Sequence, residues 1–382
     1  MRIIIYLFFY LISTNASLAN ISFSSNVKNG IVIDYLSNAI ISEKNSEQKI
    51  SPASMTKIMT AIIVFDQIRL KKLSINDHIE VPKNIRSRVT KDDSKMLILP
   101  GDKISINDLL KGLIVASGVD AAITLAEGLS GSEQQFVDLM NKKASEIGMS
   151  NTSFKNSSGV FDFQHFSTVK DFSILSSYLI KNYSEFYRYF KEKEFLWVRT
   201  GGQPAMQSNR NVLLVDENVD GIKTGNLKDS RYSIAATKKI NNRRVIVVIS
   251  GLPTMTSRAD EVRRIFLQYF NRTELALIPY ETDLFRIDIW NGSVSSLNVR
   301  GSNKEGIYFI KNKGQKIQKP RIEIDYETPT KIPIIKGEHI ANAKVFNGKD
   351  LLHIEKLYAE KNVTEKNIFL KGWQNIKYAL WN

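Results

Sequence analysis

The sequence predicts an α/β (α+β) domain: an antiparallel sheet flanked by helices, with an inserted helical subdomain. A small all-β domain and a terminal amphipathic helix follow it. Three observations carry this expectation. Strand-like runs occur near residue 30 and again between 219 and 250, with helical patterns filling the interval, so one sheet is assembled from both ends of a domain. After residue 283 the chain changes to short alternating runs separated by Gly, Asn, Lys and Pro. At 382 residues the chain is also too long for a typical single domain.

Residues 30–34 (GIVID) and 39–43 (AIISE) read as two strands around the turn Leu36-Ser37-Asn38. A helix follows from residue 51. Residues 72–105 mix short strands and loops. Ser105-x-x-Asp108 reads as a capping box, with Leu109, Leu110, Leu113 and Ile114 as the apolar face behind it. Ser117-Gly118 breaks this helix, and Ala121, Ala122, Leu125 and Ala126 begin another. Phe136, Leu139, Met140, Ala144 and Ile147 mark a third, ended by Gly148. Residues 167–192 are helical, and strands return at 219–226, 232–238 and 244–250. Residues 257–271 form a closing amphipathic helix with Val262, Ile265, Phe266, Tyr269 and Phe270 inward. The expected organisation is a leader at 1–19, the first domain at 20–272, a linker at 273–282, the β-domain at 283–363 and a terminal helix at 364–382.

The stretch 51–63, SPASMTKIMTAII, suits a serine nucleophile at the start of a buried helix. Ser51 can cap the helix, and Pro52 suits its first position. Ser54 and Lys57 stand three apart and share one face of the first turn. A serine hydroxyl needs a base to take its proton. A lysine one turn away serves if burial or a second cation holds it neutral. Amides of the first turn point to where negative charge develops. The spacing alone is weak, because Ser25–Lys28 and Ser167–Lys170 repeat it; a solvated helix surface explains most such pairs. Ser54 stands apart through its apolar helix and through two partners downstream. Ser117 lies at a break between helices. Lys223-Thr224-Gly225 lies on a strand, where a cation and a hydroxyl can hold a substrate carboxylate and the glycine lets substrate backbone approach.

Residues 3–12 are an apolar run behind Arg2, and Ser17-Leu18-Ala19 offers small residues for cleavage, so a secretory leader cut after Ala19 is expected. There is no cysteine, which excludes disulfides, thiolate metal sites and a cysteine nucleophile. The four histidines (His78, His165, His339, His353) are dispersed, and neither a metal site nor a cofactor is indicated. Net charge is +14, but the basic residues are scattered and the chain reads as exported, so anionic lipid or an anionic wall polymer is expected rather than nucleic acid. In the last stretch, Ile368, Phe369, Gly372, Trp373, Ile376, Ala379 and Leu380 fall in one arc, with Lys366, Lys371, Lys377 and Gln374 outside it. That pattern suits a membrane surface or a helix docked on its own β-domain.

The three elements in this order form a pattern of penicillin-recognising enzymes. The sequence closely resembles the low-molecular-mass penicillin-binding proteins, serine-type D-alanyl-D-alanine carboxypeptidases of the penicillin-binding protein 5 (DacA) type, peptidase family S11. PASMTKIMTA, LPGDKISINDLLKGLIVASG, SNRNVLL, VDGIKTG, GMSNTSFKNSSG and HFSTVKDF look like family blocks, and 329–345 resembles a block of the family's C-terminal β-domain. The resemblance implies a penicillin-binding, serine β-lactamase-like fold, and trimming of D-alanine from peptidoglycan stem peptides through an acyl-enzyme without a cofactor. It implies Ser54 as nucleophile, Lys57 as base, Ser117 as proton relay, and Lys223 and Thr224 as carboxylate grip beside Gly225. The oxyanion hole would be the amides of Ser54 and Asn226, with Arg210 nearby. β-Lactams are implied as covalent inhibitors, 366–382 as a peripheral membrane anchor in the periplasm, and a homodimer is left open. A DD-endopeptidase, a weak β-lactamase or a wall-binding scaffold without turnover are the alternatives. Two departures stand out. Val119 replaces the family's second-motif asparagine, which bonds substrate backbone and the catalytic lysine, so slow turnover is expected. Asn226–Arg231 also departs from the small or aromatic residue and glycine usual after Lys-Thr-Gly.

Overall fold

The computed structural model describes residues 21–198, 202–227, 231–280, 285–317, 320–328 and 330–366. The expected leader, almost all of the terminal helix, and residues 228–230 of the departing segment lie outside these. The chain divides into two compact units, one spanning Ile21–Tyr269 and the other beginning at Phe270.

In the first unit, β1 (Asn29–Asp34) and β2 (Ile40–Lys44) form a hairpin, and a 3-10 turn (Ala53–Thr56) leads into α1 (Lys57–Arg69). β3 (His78–Glu80), α2 (Ile85–Arg88) and β4 (Lys103–Ser105) precede the helical block of α3 (Ile106–Ile114), α4 (Val119–Ser130), α5 (Glu133–Glu146), α6 (Val169–Asn182) and α7 (Arg188–Lys191). A hairpin of β5 (Glu194–Val198) and β6 (Pro204–Ser208) follows. Then come a 3-10 turn (Val212–Val215), β7 (Val219–Leu227), β8 (Arg231–Ile240), β9 (Arg243–Leu252) and α8 (Met255–Arg272). The main sheet runs β2-β1-β9-β8-β7, so strands from both ends of the unit meet at the β1–β9 ladder, as expected.

The first nine residues of α1, from Lys57 to Phe65, are all buried. A helix apolar on every face belongs in a core, and each large aliphatic or aromatic side chain so buried contributes about 1.5–3 kcal/mol. Phe65 stacks on Phe186 at 4.6 Å between centroids. Lys57 is the single charged side chain in this buried run, and removing it from water is the cost that the site exploits. The Ser105 hydroxyl caps α3, accepting from Asp108 N at 3.1 Å.

One local expectation is corrected. Ser51 is not the cap: Pro52 occupies that position, no side chain caps it, and the first turn is 3-10 rather than α. The reason is local geometry. Ala53 takes a left-handed φ of 51°, and the chain then closes i→i+3 bonds such as Met55 N to Pro52 O. In a 3-10 turn side chains at i and i+3 eclipse, which aligns Ser54 with Lys57 more closely than an α turn would.

In the second unit, residues 273–279 of the expected linker are a strand. β10 (Thr273–Pro279) pairs along its whole length with β13 (Gly306–Asn312). A five-stranded sheet has the order β11 (Arg286–Asp288), β12 (Ser296–Arg300), β16 (Asp350–Ala359), β15 (His339–Asn347), β14 (Arg321–Tyr326). Ala341, Ala343 and Val345 alternate inward along β15 and meet Leu357, Ile287 and Val299 in the core.

Candidate active site

Ser54 is half-buried at the 3-10 turn, and its hydroxyl lies 2.9 Å from Lys57 Nζ. Lys57 is fully buried, and its Nζ donates to the Ser158 carbonyl at 2.6 Å. Burial pushes its pKa down to about 7, with Asp93 and then Asp120 pulling the other way. The lysine therefore has a large neutral fraction near neutral pH, beside a hydroxyl whose proton it can take.

Ser117 and Lys223 form a second pair, with Nζ 2.9 Å from Oγ. Both are buried. Burial holds Lys223 well below the ordinary lysine range, reinforced by the charges of Lys57, Arg258 and Arg210. Ser117 has a left-handed φ of 60°. With Ala53, it makes two non-glycine residues in a conformation that costs about 1–3 kcal/mol each and that clusters at functional sites.

Strand β7 closes the site. Gly225 pairs with Ser233 of β8. A Cβ on Gly225 would stand 2.4 Å from Ser233 Oγ and 2.8 Å from the Pro52 carbonyl, so only glycine lets β7 lie against the turn that carries Ser54. Thr224 beside it is buried, while Asn226 is exposed. Arg210 is exposed, and of its neighbours Asn209 accepts from Asn211 N at 2.9 Å. The structure thus brings Ser54, Lys57, Ser117, Lys223, Thr224 and Gly225 together, with Arg210 placed to act on Lys223 by its charge. Among the described residues, no cluster of three His, Cys, Asp or Glu side chains could hold a metal ion.

Several contributors carry no sequence signal. The Ser158 carbonyl is held on Lys57 by a relay: Glu133 accepts from Ser157 N and Oγ at 2.9 and 2.6 Å and pairs with Arg88 at 2.7 Å, while Thr60 Oγ1 donates to Ser157 O at 2.5 Å. Gly159, at φ 83°, comes so close to Ala53 that a Cβ would meet its carbonyl at 1.9 Å. His165 Nδ1 accepts from Lys155 N at 3.2 Å, so Nε2 carries the proton and donates to Thr56 Oγ1 at 2.9 Å. Burial pushes its pKa down to about 4, which keeps it neutral there. Arg258 is buried behind β7, with Nη1 3.4 Å from Gly225 O and 3.3 Å from Ser233 O.

A penicillin-binding fold is the class that this sheet, its helical insertion and the paired Ser–Lys contacts define. The chain belongs to peptidase family S11, D-alanyl-D-alanine carboxypeptidase, whose family model matches residues 15–254. It is 32% identical to the D-alanyl-D-alanine carboxypeptidase DacC of Escherichia coli (strain K12), over 92% of this chain and 88% of that one. It is 28% identical to the carboxypeptidase DacF of Bacillus subtilis (strain 168), over 90% and 88%. Among solved structures, penicillin binding protein 5 from Haemophilus influenzae superposes with a TM-score of 0.76 at 28% identity, covering 89% of this chain and 98% of that one.

Proposed function

We propose that the protein is a serine D-Ala-D-Ala carboxypeptidase acting on peptidoglycan stem pentapeptides through a Ser54 acyl-enzyme. The observation that carries this is Lys57: buried, 2.9 Å from Ser54 Oγ, with its pKa brought to about 7. In this mechanism Lys57 takes the Ser54 proton as Oγ attacks the carbonyl between the two terminal D-alanines. The amides of Ser54 and Asn226 receive the oxyanion. Lys223 and Thr224, with Arg210 nearby, hold the terminal carboxylate. Ser117, bonded to Lys223, passes a proton to the leaving amine. D-Alanine departs, and water releases the shortened peptide. β-Lactams would acylate the same serine. Incubation with a stem pentapeptide should release D-alanine from the wild type and none above background from Ser54→Ala. Covalent labelling by a fluorescent penicillin should vanish in the same variant; labelling that survives the change would remove Ser54 from the role. Val119 favours a second reading, a wall-binding scaffold with little turnover, which would bind stem peptide without releasing D-alanine.

The placement we propose is periplasmic, on the outer surface of the cytoplasmic membrane. The apolar run behind Arg2 supports a leader at 1–19, and the arc of apolar residues with flanking lysines supports a peripheral anchor at 366–382. No described helix is long and apolar enough to cross a membrane. Deleting 366–382 should abolish co-flotation with anionic vesicles and leave penicillin labelling intact. A truncated protein that unfolds would place that segment on the protein instead.

A further inference from the structure

A neutral lysine amine carries two N–H donors and one lone pair, and only the lone pair can take the Ser54 proton. Among the described residues Lys57 Nζ is bonded to two oxygens, Ser54 Oγ at 2.9 Å and Ser158 O at 2.6 Å. The second motif adds no third. Val119, the first residue of α4, has no polar side-chain atom, and its N–H donates to Ser94 O at 2.8 Å. The Ser158 carbonyl is therefore the group that fixes how the amine is turned. Its own position is set one residue earlier. Ser157 is fully buried, and its three polar groups are all engaged. N and Oγ donate to Glu133 Oε1 at 2.9 and 2.6 Å, and O accepts from Thr60 Oγ1 at 2.5 Å. Thr60 lies one turn beyond Lys57 on α1, so one helix carries both the base and a tether of its acceptor. Glu133, at the start of α5, supplies the other two bonds, and Arg88 Nη2 donates to its Oε2 at 2.7 Å. Arg88 also pairs with Glu127 of α4.

We propose that Glu133 is a positioning residue for acylation: by holding Ser157 it keeps the Ser158 carbonyl on Lys57 Nζ, so that the lysine lone pair faces the Ser54 hydroxyl in a site where Val119 offers no second hold. The proposal rests on the Ser54–Lys57 reading above. Glu133 acts only through Ser157 and Ser158; among the described residues it makes no hydrogen bond to Ser54 or Lys57. In the step itself, the Ser54 O–H proton moves to the Lys57 lone pair as the Oγ–carbonyl bond forms. The new ammonium keeps its bond to Ser158 O, and Glu133 gains and loses no proton. One carbonyl thus serves twice. It orients the neutral amine before attack and, as a hydrogen-bond acceptor, favours the ammonium that attack creates.

Glu133→Gln and Glu133→Ala together test this. Both lose the ion pair with Arg88, but the glutamine Oε1 can still accept from Ser157 N and Oγ, whereas alanine releases them. Acylation of Ser54 by a fluorescent penicillin should fall about 10-fold in Glu133→Ala and less than about 3-fold in Glu133→Gln, because a misturned base loses its near-attack geometry. With pentapeptide, kcat should carry the loss and KM should not. The titration midpoint of Lys57, read by NMR after 13C-lysine labelling, should lie lower in Glu133→Ala than in Glu133→Gln, since the ammonium has lost its acceptor; this needs no turnover. The charges that interact with Lys57, on Asp93, Asp120 and Lys223, are the same in both variants, and His165 is neutral. Val119→Asn added to Glu133→Ala should recover part of the lost rate by giving Nζ a second acceptor. If Glu133→Ala does not fold, Thr60→Val, which keeps its shape and removes the other tether of Ser157, should show the same pattern at about 3-fold. Equal acylation rates and equal Lys57 midpoints in Glu133→Ala and Glu133→Gln would overturn the proposal. An inert wild type would instead overturn the proposed function, with the Lys57 midpoints still deciding the role of Glu133.

Discussion

Lys57→Ala should lower acylation of Ser54 by about 10²- to 10⁴-fold with every substrate, pentapeptide and penicillin alike, because general-base catalysis contributes roughly that much and no other side chain is hydrogen-bonded to the Ser54 hydroxyl among the described residues. In the wild type the acylation rate should rise with pH through about 7, as Lys57 loses its proton, and the variant should lack that limb. The fold should survive. Lys57 is pushed down from 10.5 to about 7 by burial, so between those values the native state binds fewer protons than the unfolded chain. Stability therefore falls as pH drops from 10.5 toward 7 and stays at the lower level below it. Alanine removes this penalty and leaves a cavity in its place, two changes of opposite sign. Stopped-flow acylation and Tm measured together give the answer. A variant still within ten-fold of the wild-type rate, with Tm preserved, would mean that another group takes the proton.

Much of the frame was legible because its signals are local and periodic. The strands at 30–34 and 232–250 appear with their neighbours, the Ser105 cap forms, and the break at Ser117-Gly118 separates α3 from α4. The Ser54–Lys57 pair is a spacing of three and needs no tertiary knowledge to suspect. What was misjudged depends on context that a window of sequence lacks. Ser51 looks like a cap, but the left-handed φ at Ala53 moves the start of the turn. Residues 273–279 look like a linker because their partner strand, Gly306–Asn312, is a separate segment some thirty residues on. The β5–β6 hairpin carries Leu196, Val198 and Met206 exposed on its outer face, so its buried alternation, Phe195 and Trp197, is easily missed.

The site was legible as motifs and illegible as environment. Ser158 contributes a backbone carbonyl, which no side-chain pattern announces. Glu133, Arg88 and Thr60 reach that carbonyl's loop from three different helices, and their sequence separations from it carry no period. Arg258 sits on α8, where the pattern of Val262, Ile265 and Phe266 explains the helix without it; its burial against Gly225 emerges only when β7 and β8 are in place. Asp93 lies on a loop whose position is set by Asp120 and Val119, twenty-odd residues later in the chain.

Lys223→Ala is expected to separate substrates rather than silence them equally. Its Nζ donates to Ser117 Oγ and makes no hydrogen bond to Ser54. Two effects follow from its loss. A carboxylate held by a charge-assisted hydrogen bond loses about 1.5–3 kcal/mol of interaction, which is roughly a 10- to 150-fold effect on kcat/KM at about 1.4 kcal/mol per decade. This part falls only on substrates with a free terminal carboxylate. The second effect is common to all substrates: Ser117 Oγ loses the Nζ that donates to it, so proton transfer at the second motif slows for acid and ester alike. The acid limb of acylation, which Lys57 sets by its burial, should stay near pH 7 in this variant. Pentapeptide and its C-terminal ester, compared at a pH above both limbs, isolate the carboxylate effect. Equal losses for acid and ester there would remove Lys223 from the carboxylate-binding role, and the buried Lys223–Ser117 contact would then be left with proton transfer alone.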